Sequence, residues 1–165
     1  DVCSSDLGCC HVPGPAFQGL PPALRQRILT RIISHYGGGG PAPEPRDIRR
    51  LLDWADQGTG PVRCTLGGAV LGRRKLGFWV TREASRIVPS PMPIPESGHA
   101  LWDGRFMVQA PPGAVVTPSG QRPPQLGKGI PAHAGRAYPS VSTPAESAKM
   151  VQISFLRLAN APEHN

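Results

Sequence analysis

The sequence predicts an α+β fold in which a helical hairpin is followed by small β-hairpins, with Pro/Gly-rich irregular connections. Two segments repeat apolar residues with a helical period, and later segments alternate apolar and polar residues as strands do. The 20 Gly and 21 Pro residues make up about a quarter of the 165-residue chain, whereas aromatic residues comprise only 3 Trp, 2 Tyr and 4 Phe. Local folded units joined by long connections are therefore expected.

The first helix is predicted within PPALRQRILTRIISHYGGGG, residues 21–40. Its apolar residues lie on one helical face: Leu24, Ile28, Leu29, Ile32, Ile33 and Tyr36. Pro21 and Pro22 suit the first turn, where amide hydrogens have no helical partner. Gly37 is expected to end the helix in a left-handed conformation. The opposite face is rich in arginine.

A second helix is predicted within RDIRRLLDWADQG, residues 46–58. Its apolar face comprises Ile48, Leu51, Leu52 and Ala55. Asp47 lies near its start, and Gly58 is the expected C-terminal stop. Because a short Pro/Gly loop separates the two helices, residues 17–58 are predicted to form a helical hairpin, with Trp54 in its core.

Residues 59–88 are predicted to form a small basic β-hairpin, because the periodicity changes here from helical to alternating. The second strand should direct Leu76, Phe78 and Val80 to one face and Gly77, Trp79 and Thr81 to the other. GGAVLG provides the partner strand. Arg73, Arg74 and Lys75 are expected at the tip of the hairpin.

Residues 89–165 are predicted to be a Pro-rich C-terminal region with short strands. Asp103-Gly104 is a strong two-residue turn signal between apolar flanks, which indicates one further hairpin. After Pro111 the chain is mostly Pro, Gly, Ser and Thr. An edge strand is expected near the end, where Val151, Ile153 and Phe155 alternate.

The positive charge is concentrated in one part of the chain. Residues 22–86 contain 12 Lys/Arg and 5 Asp/Glu, which accounts for the whole formal charge of +7. Such a basic field favours phosphate-rich partners, although a merely solvated basic surface has the same composition. No apolar run approaches the roughly 20 residues that a membrane-spanning helix needs, and no signal peptide is recognisable. A cytoplasmic protein with reduced thiols is expected.

The opening DVCSSDLGCC suggests a zinc knuckle, a redox site or a disulfide anchor. However, Cys3, Cys9, Cys10 and Cys64 form no pair of C-x-x-C type with a second pair at zinc spacing, so no metal site is predicted. Residues 1–7 instead back-translate without mismatch to the end of a widely used DNA-sequencing adapter. Residues 1–16 are therefore interpreted as adapter translation and linker, and the chain as the C-terminal part of a longer protein.

No catalytic residues are predicted. The five histidines, at positions 11, 35, 99, 133 and 164, are scattered, and no serine lies in a G-x-S-x-G elbow. Gly67 and Gly72 have the interval of a phosphate-binding loop. Arg73 and Arg74 then replace the Lys and Ser/Thr that such a loop needs, so the segment is interpreted as a hairpin.

Four segments, in their order and spacing, resemble tRNA(Ile)-lysidine synthetases in the part that follows the catalytic domain. They are LPPALRQRILTRIISHYGGG, IRRLLDWADQG, CTLGGAVLGRRKLGFWVTREA and LWDGRF. The resemblance covers residues 17–108 and fades after Pro111. The family joins lysine to the wobble cytidine of an isoleucine tRNA, after ATP has adenylated the base.

The resemblance implies a role in gripping tRNA(Ile), with lysine and ATP as substrates of the parent enzyme. The family's ATP loop, Ser-Gly-Gly-x-Asp-Ser, is absent, so this fragment should have no ATP site and no ligase activity alone. The expected phosphate-binding residues are Arg25, Arg31, Arg49, Arg50, Arg73, Arg74 and Lys75. Phosphate contacts of this kind position RNA without reading its sequence.

Two alternatives remain open at this stage. One is a free-standing, non-enzymatic basic module that binds RNA or another protein. The other is a mostly disordered product without function, in view of the Pro and Gly content. The gene sequence upstream of Phe17 distinguishes them from the enzyme, because only the enzyme requires the Ser-Gly-Gly-x-Asp-Ser loop there.

Overall fold

The computed structural model describes residues 8–58, 60–120, 131–143 and 150–156. These segments have an α+β fold, as the sequence predicts. The helices are α1 (Gly14–Gln18), α2 (Pro22–Tyr36), α3 (Pro45–Gln57) and α4 (Ala132–Arg136). The strands are β1 (Cys9–Pro13), β2 (Arg63–Leu66), β3 (Ala69–Arg74), β4 (Gly77–Arg82), β5 (Met92–Pro93), β6 (His99–Trp102), β7 (Phe106–Gln109), β8 (Val115–Pro118), β9 (Pro139–Ser142) and β10 (Gln152–Phe155).

The strands of the described segments form three antiparallel sheets. The first has the order β1-β4-β3-β2, the second β10-β7-β6, and the third β5-β8-β9. One hydrophobic cluster contains buried residues from all three, including Val80, Phe106 and Val116. The expectation of separate local units therefore gives way to a shared core. No helix among the described residues is long and apolar enough to cross a membrane.

The two longer helices form the predicted hairpin and cover one face of the first sheet. Arg25, near the start of α2, forms an ion pair with Asp56, near the end of α3, so the helices run antiparallel. Their buried residues include Leu29, Ile32 and Ile33 from α2 and Ile48, Leu51 and Trp54 from α3. Trp54 is buried in this core, as predicted, and its indole Nε1 donates a 2.8 Å hydrogen bond to the Pro61 carbonyl.

The end of α2 differs from the prediction. Gly37 has a φ of −78°, which is not left-handed, and Gly38 (φ 83°) makes the left-handed turn instead. Gly37 is needed for another reason. A Cβ built there would lie 2.0 Å from the Gly67 carbonyl oxygen, in the turn between β2 and β3. The helix end and the hairpin turn approach too closely for a side chain.

Residues 9–13, predicted as linker, form strand β1 at the edge of the first sheet. β1 pairs with β4, with Cys10 opposite Val80 and Val12 opposite Phe78. Cys10 and Val12 are fully buried, so they extend the apolar face beneath the helices. Cys10 is disulfide-bonded, contrary to the expectation of reduced thiols.

A buried ionic network joins the first sheet to the second. Arg82 on β4 donates hydrogen bonds from Nε and Nη2 to the two carboxylate oxygens of Asp103, at 3.0 and 3.1 Å. Arg105 donates from Nε to the same carboxylate at 2.8 Å and from Nη2 to the Ala137 carbonyl at 2.8 Å. Asp103 therefore bridges two arginines.

The predicted Asp-Gly turn is present between β6 and β7, with one additional residue. Asp103 (φ 50°) and Gly104 (φ 65°) are both left-handed, as a type I′ turn requires. Trp102 pairs with Phe106, so Arg105 belongs to the loop as well. The hairpin therefore has a three-residue loop, and the Arg105 side chain in it is buried and bonded to Asp103.

Candidate nucleic-acid interface

The tip of the β3–β4 hairpin carries two exposed cationic residues. Arg74 ends β3 and pairs with Gly77, and Lys75 follows in the two-residue turn with Leu76. Both cationic side chains are exposed, and neither forms an ion pair with a carboxylate of the described residues. Charges placed on such a turn can reach a phosphate without being buried.

Arg73 was predicted at the same tip, but it lies within β3 and its side chain folds back on α3. Its guanidinium carbon lies 4.6 Å from the centre of the Trp54 ring, and Nη2 donates a hydrogen bond to the Trp54 carbonyl. A second, longer bond of 3.4 Å runs from Nη1 to the Gly60 carbonyl. The side chain points inward because Arg73 shares the helix-facing side of the sheet with Leu71. Its contacts are structural.

Arg25 is also engaged within the fold. Its guanidinium pairs with Asp56 and lies 5.0 Å from the centre of the Phe17 ring. The Nε atom is buried without a hydrogen-bond partner among the described residues. A phosphate would therefore have to displace Asp56 to gain this cation.

Beside the hairpin tip lies a cleft of about 280 Å³. Its walls come from α1, from the end of α3 and from the hairpin, and include Gly14, Trp54, Asp56, Arg74 and Lys75. Four of the seven predicted cations lie at this cleft. Arg73, Arg74 and Lys75 line it, and Arg25 is joined to it through its ion pair with Asp56. Only Arg74 and Lys75 present their charge to solvent.

The remaining three predicted residues lie on the helices. Arg49 and Arg50 are exposed on α3, and Arg50 also forms a 3.6 Å ion pair with Asp47. Arg50 lines a shallower depression between α3 and β2, which Trp54 separates from the cleft. Arg31 is exposed on α2, and neither it nor Arg49 lines either depression. The helix arginines therefore spread over the surface.

Sequence reasoning missed Arg63, Arg136 and their grouping with the predicted Arg74. Arg63, Arg74 and Arg136 act electrostatically on His133, although the four residues come from β2, β3 and α4. Burial lowers the pKa of His133, and these three positive charges lower it further. More than 60 residues separate Arg63 from His133, so no local pattern could have brought them together. The alternation of β2 alone could have indicated that Arg63 faces away from the helices.

The described residues offer little for metal binding or covalent chemistry. They contain no group of three His, Cys, Asp or Glu side chains placed to hold a metal ion. Burial raises the pKa of the free Cys9 and Cys64 thiols to about 11, so both are protonated at neutral pH. A protonated thiol is neither a good nucleophile nor a metal ligand.

Comparison with known proteins does not identify a relative, so any proposal about function rests on the sequence and the geometry. No protein-family model, no curated protein and no solved structure matches this chain.

Proposed function

We propose that this chain is the tRNA-contacting C-terminal part of a tRNA(Ile)-lysidine synthetase, and that it contributes phosphate contacts to the parent ligase. The resemblance over residues 17–108 supports the family, and the concentration of positive charge in residues 22–86 supports a phosphate-rich partner. In this proposal the parent enzyme supplies the ATP site and the lysine site. The protein then acts in the cytoplasm, where tRNA is modified.

The exposed pair Arg74 and Lys75 carries the proposal. The two residues are adjacent at a turn, present their charge to solvent and border a cleft. A tRNA backbone offers regularly spaced phosphates, and each neutralised phosphate releases counterions, so binding strengthens at low salt. Such contacts would position the tRNA, while the catalytic part of the parent enzyme selects the wobble base.

The structure changes which of the seven predicted cations are the best candidates. Arg74 and Lys75 come first, followed by the exposed Arg31, Arg49 and Arg50 on the helices. Arg25 and Arg73 are the weakest candidates because their guanidinium groups already contact Asp56 and Trp54. We therefore assign those two a structural role that supports the cleft.

The test is a fluorescence titration of labelled isoleucine tRNA with the full chain at several salt concentrations. The variant Arg74→Ala/Lys75→Ala should bind more weakly, and its salt dependence should flatten by about 0.7 to 0.9 log units per lost phosphate contact. Its melting curve should be nearly unchanged, because exposed charges usually alter stability by less than about 0.5 kcal/mol.

The matched control is Arg27→Ala/Arg46→Ala, which removes the same charge from two exposed helix positions. It should retain the wild-type salt slope. If both double variants lose affinity equally, the effect is one of net charge and the hairpin tip is not a contact. Unchanged affinity in Arg74→Ala/Lys75→Ala with an intact melt would contradict the proposal directly.

A further inference from the structure

The face of the first sheet that points away from α2 and α3 carries an aromatic and cationic row. The strand registers align one residue from each strand across the sheet: His11 opposite Trp79, Trp79 opposite Gly72, and Gly72 opposite Arg63. Successive residues of a strand alternate between faces. Because Phe78 and Val80 face the helices, this row must face the other way.

Gly72 leaves a gap in this row, between the indole and the guanidinium. Among the described residues, the only atom within 4 Å of a Cβ built at Gly72 is the Arg63 Cγ, at 3.9 Å. The side chain of Arg63 therefore lies along one side of the gap. Trp79, which is partly buried, lies on the other side, and the His11 ring packs against it at a 45° tilt with ring centroids 5.0 Å apart.

No arginine or lysine of the described residues stacks on Trp79, whereas Arg25, Arg73 and Arg105 stack on other rings. Trp79 is also the most exposed of the three tryptophans, because Trp54 and Trp102 are buried. The partly buried Trp79 ring beside Gly72, with no described cation stacked on it, is a candidate stacking platform.

The surroundings of the platform are positively charged. Arg74 lies on the same face as Gly72, two residues further along β3, and is diagonal to Arg63. The Cα atoms of diagonal neighbours on adjacent strands are about 7 to 8 Å apart. This is close to the spacing of successive phosphates in an extended strand of nucleic acid. His133 and the exposed Arg136, both on α4, lie near these charges, because Arg63, Arg74 and Arg136 all lower the pKa of His133.

We propose that this outer face binds a single-stranded RNA segment, with one base stacked on Trp79 above Gly72 and the adjoining phosphates held by Arg63 and Arg74. The inference rests on the proposed function for RNA as the ligand class. Stacking of bases on aromatic side chains within a basic groove is the usual way in which proteins bind unpaired nucleotides. A tRNA offers such nucleotides in its loops and at its 3′ end.

The experiment measures the fluorescence anisotropy of a labelled eight-nucleotide RNA, single-stranded or annealed to its complement, with the full chain. Trp79→Ala and Gly72→Val should each weaken single-strand binding by at least about fivefold, the lower end of what one stacked base contributes. Gly72→Val fills the gap with a residue that suits a strand. Trp79→Phe should retain most of the affinity while losing the quenching of tryptophan fluorescence on binding.

Arg27→Ala is the control for loss of one exposed charge and should retain wild-type affinity, and circular-dichroism melts establish that each variant is folded. Wild-type affinity in folded Trp79→Ala and Gly72→Val would overturn the inference. Equal affinity for the duplex would overturn it as well, because paired bases cannot stack on the platform. If an oligoglutamate peptide of the same charge competes equally well, the face binds an acidic protein and the RNA inference is wrong.

The two proposals fail in different ways. If isoleucine tRNA binds through Arg74 and Lys75 but the eight-nucleotide RNA does not bind, the platform is wrong and the proposed function stands. If the eight-nucleotide RNA binds at Trp79 but isoleucine tRNA binds no better than an unrelated tRNA, the platform stands and the proposed function is wrong.

Discussion

Asp103 is the carboxylate partner of two buried arginine side chains. It accepts hydrogen bonds from Arg82 and Arg105, whose side chains are only 8 % and 1 % exposed. Burial lowers the pKa of Arg105 to about 10, and the neighbouring carboxylate opposes this shift, so Arg105 is charged at neutral pH. Without Asp103, two positive charges would share a buried site with only carbonyl oxygens as partners.

We therefore expect Asp103→Asn to destabilise the fold by about 3 kcal/mol, the usual cost of leaving a buried charge without its partner. Asparagine tolerates the left-handed φ of 50° at this position, so the substitution tests the charge and leaves the turn intact. Urea denaturation measures the change. The control is Asp53→Asn, an exposed residue of α3, with an expected change within about 0.5 kcal/mol. Equal midpoints for the two variants would show that the network contributes nothing.

The contacts that individual arginine side chains make could not be predicted from the sequence. Arg73, Arg74 and Lys75 are adjacent and were all predicted at one tip, yet Arg73 faces Trp54 because strand alternation turns it inward. Arg25 depends on Asp56, 31 residues away. A local pattern places a side chain on a face, whereas its partner comes from the tertiary fold.

At the scale of elements, the helices were predictable and several strands were not. A long apolar stripe with Pro at the start and Gly after the end identifies α2 and α3 without tertiary information. β1 is only five residues long and has Cys and His where strand signals are weak. β5 and β9 contain proline and lie at the edges of the third sheet, the position in which proline is compatible with a strand. Their Pro-rich sequences predicted irregular connections instead.

The contact between the end of α2 and the β2–β3 turn gives a prediction for Gly37. A Cβ at this position would lie 2.0 Å from a backbone oxygen, so Gly37→Ala must separate the helix from the turn. We expect a loss of about 2 kcal/mol in the free energy of unfolding, as for overpacked sites. Gly40→Ala is the matched control, because a Cβ there meets no described atom within 4 Å. Thermal melts of both variants check this, and equal stability would mean that the turn moves freely.

At the scale of the whole molecule, α2 is the element that connects the first sheet with the second. Ile33 belongs to the core beneath the first sheet, while Tyr36 stacks on Phe155 of β10 at 5.3 Å between ring centroids. His35 lies at the same junction and contacts the rings of Tyr36 and Phe155 edge-on, at 5.1 Å from each. Its Nε2 is buried without a partner among the described residues. Protonation of His35 would place a charge in an aromatic contact.

Lowering the pH should therefore decrease the free energy of unfolding. Burial and the charge of Arg105 lower the pKa of His35, despite an opposing backbone hydrogen bond at Leu156, and burial with Arg63, Arg74 and Arg136 lowers that of His133. The unfolded chain, with histidine pKa values near 6.5, then binds more protons than the folded chain. The stability that the neutral histidines provide is complete above about pH 6.5 and is lost as the pH falls through the folded values.

The variant His35→Phe/His133→Gln should flatten the decline of unfolding free energy between pH 7 and pH 5. Each histidine can contribute a slope of up to about 1.4 kcal/mol per pH unit. Phe preserves the edge-on contacts of His35 and removes its unpartnered nitrogen, so the variant should be as stable as wild type at pH 7 and more stable at pH 5. Urea titrations at half-unit pH intervals measure the slope, with the exposed His99→Gln as the control for loss of a histidine. A slope identical to that of wild type would show that neither half-buried histidine governs the acid response and that carboxylate protonation alone does.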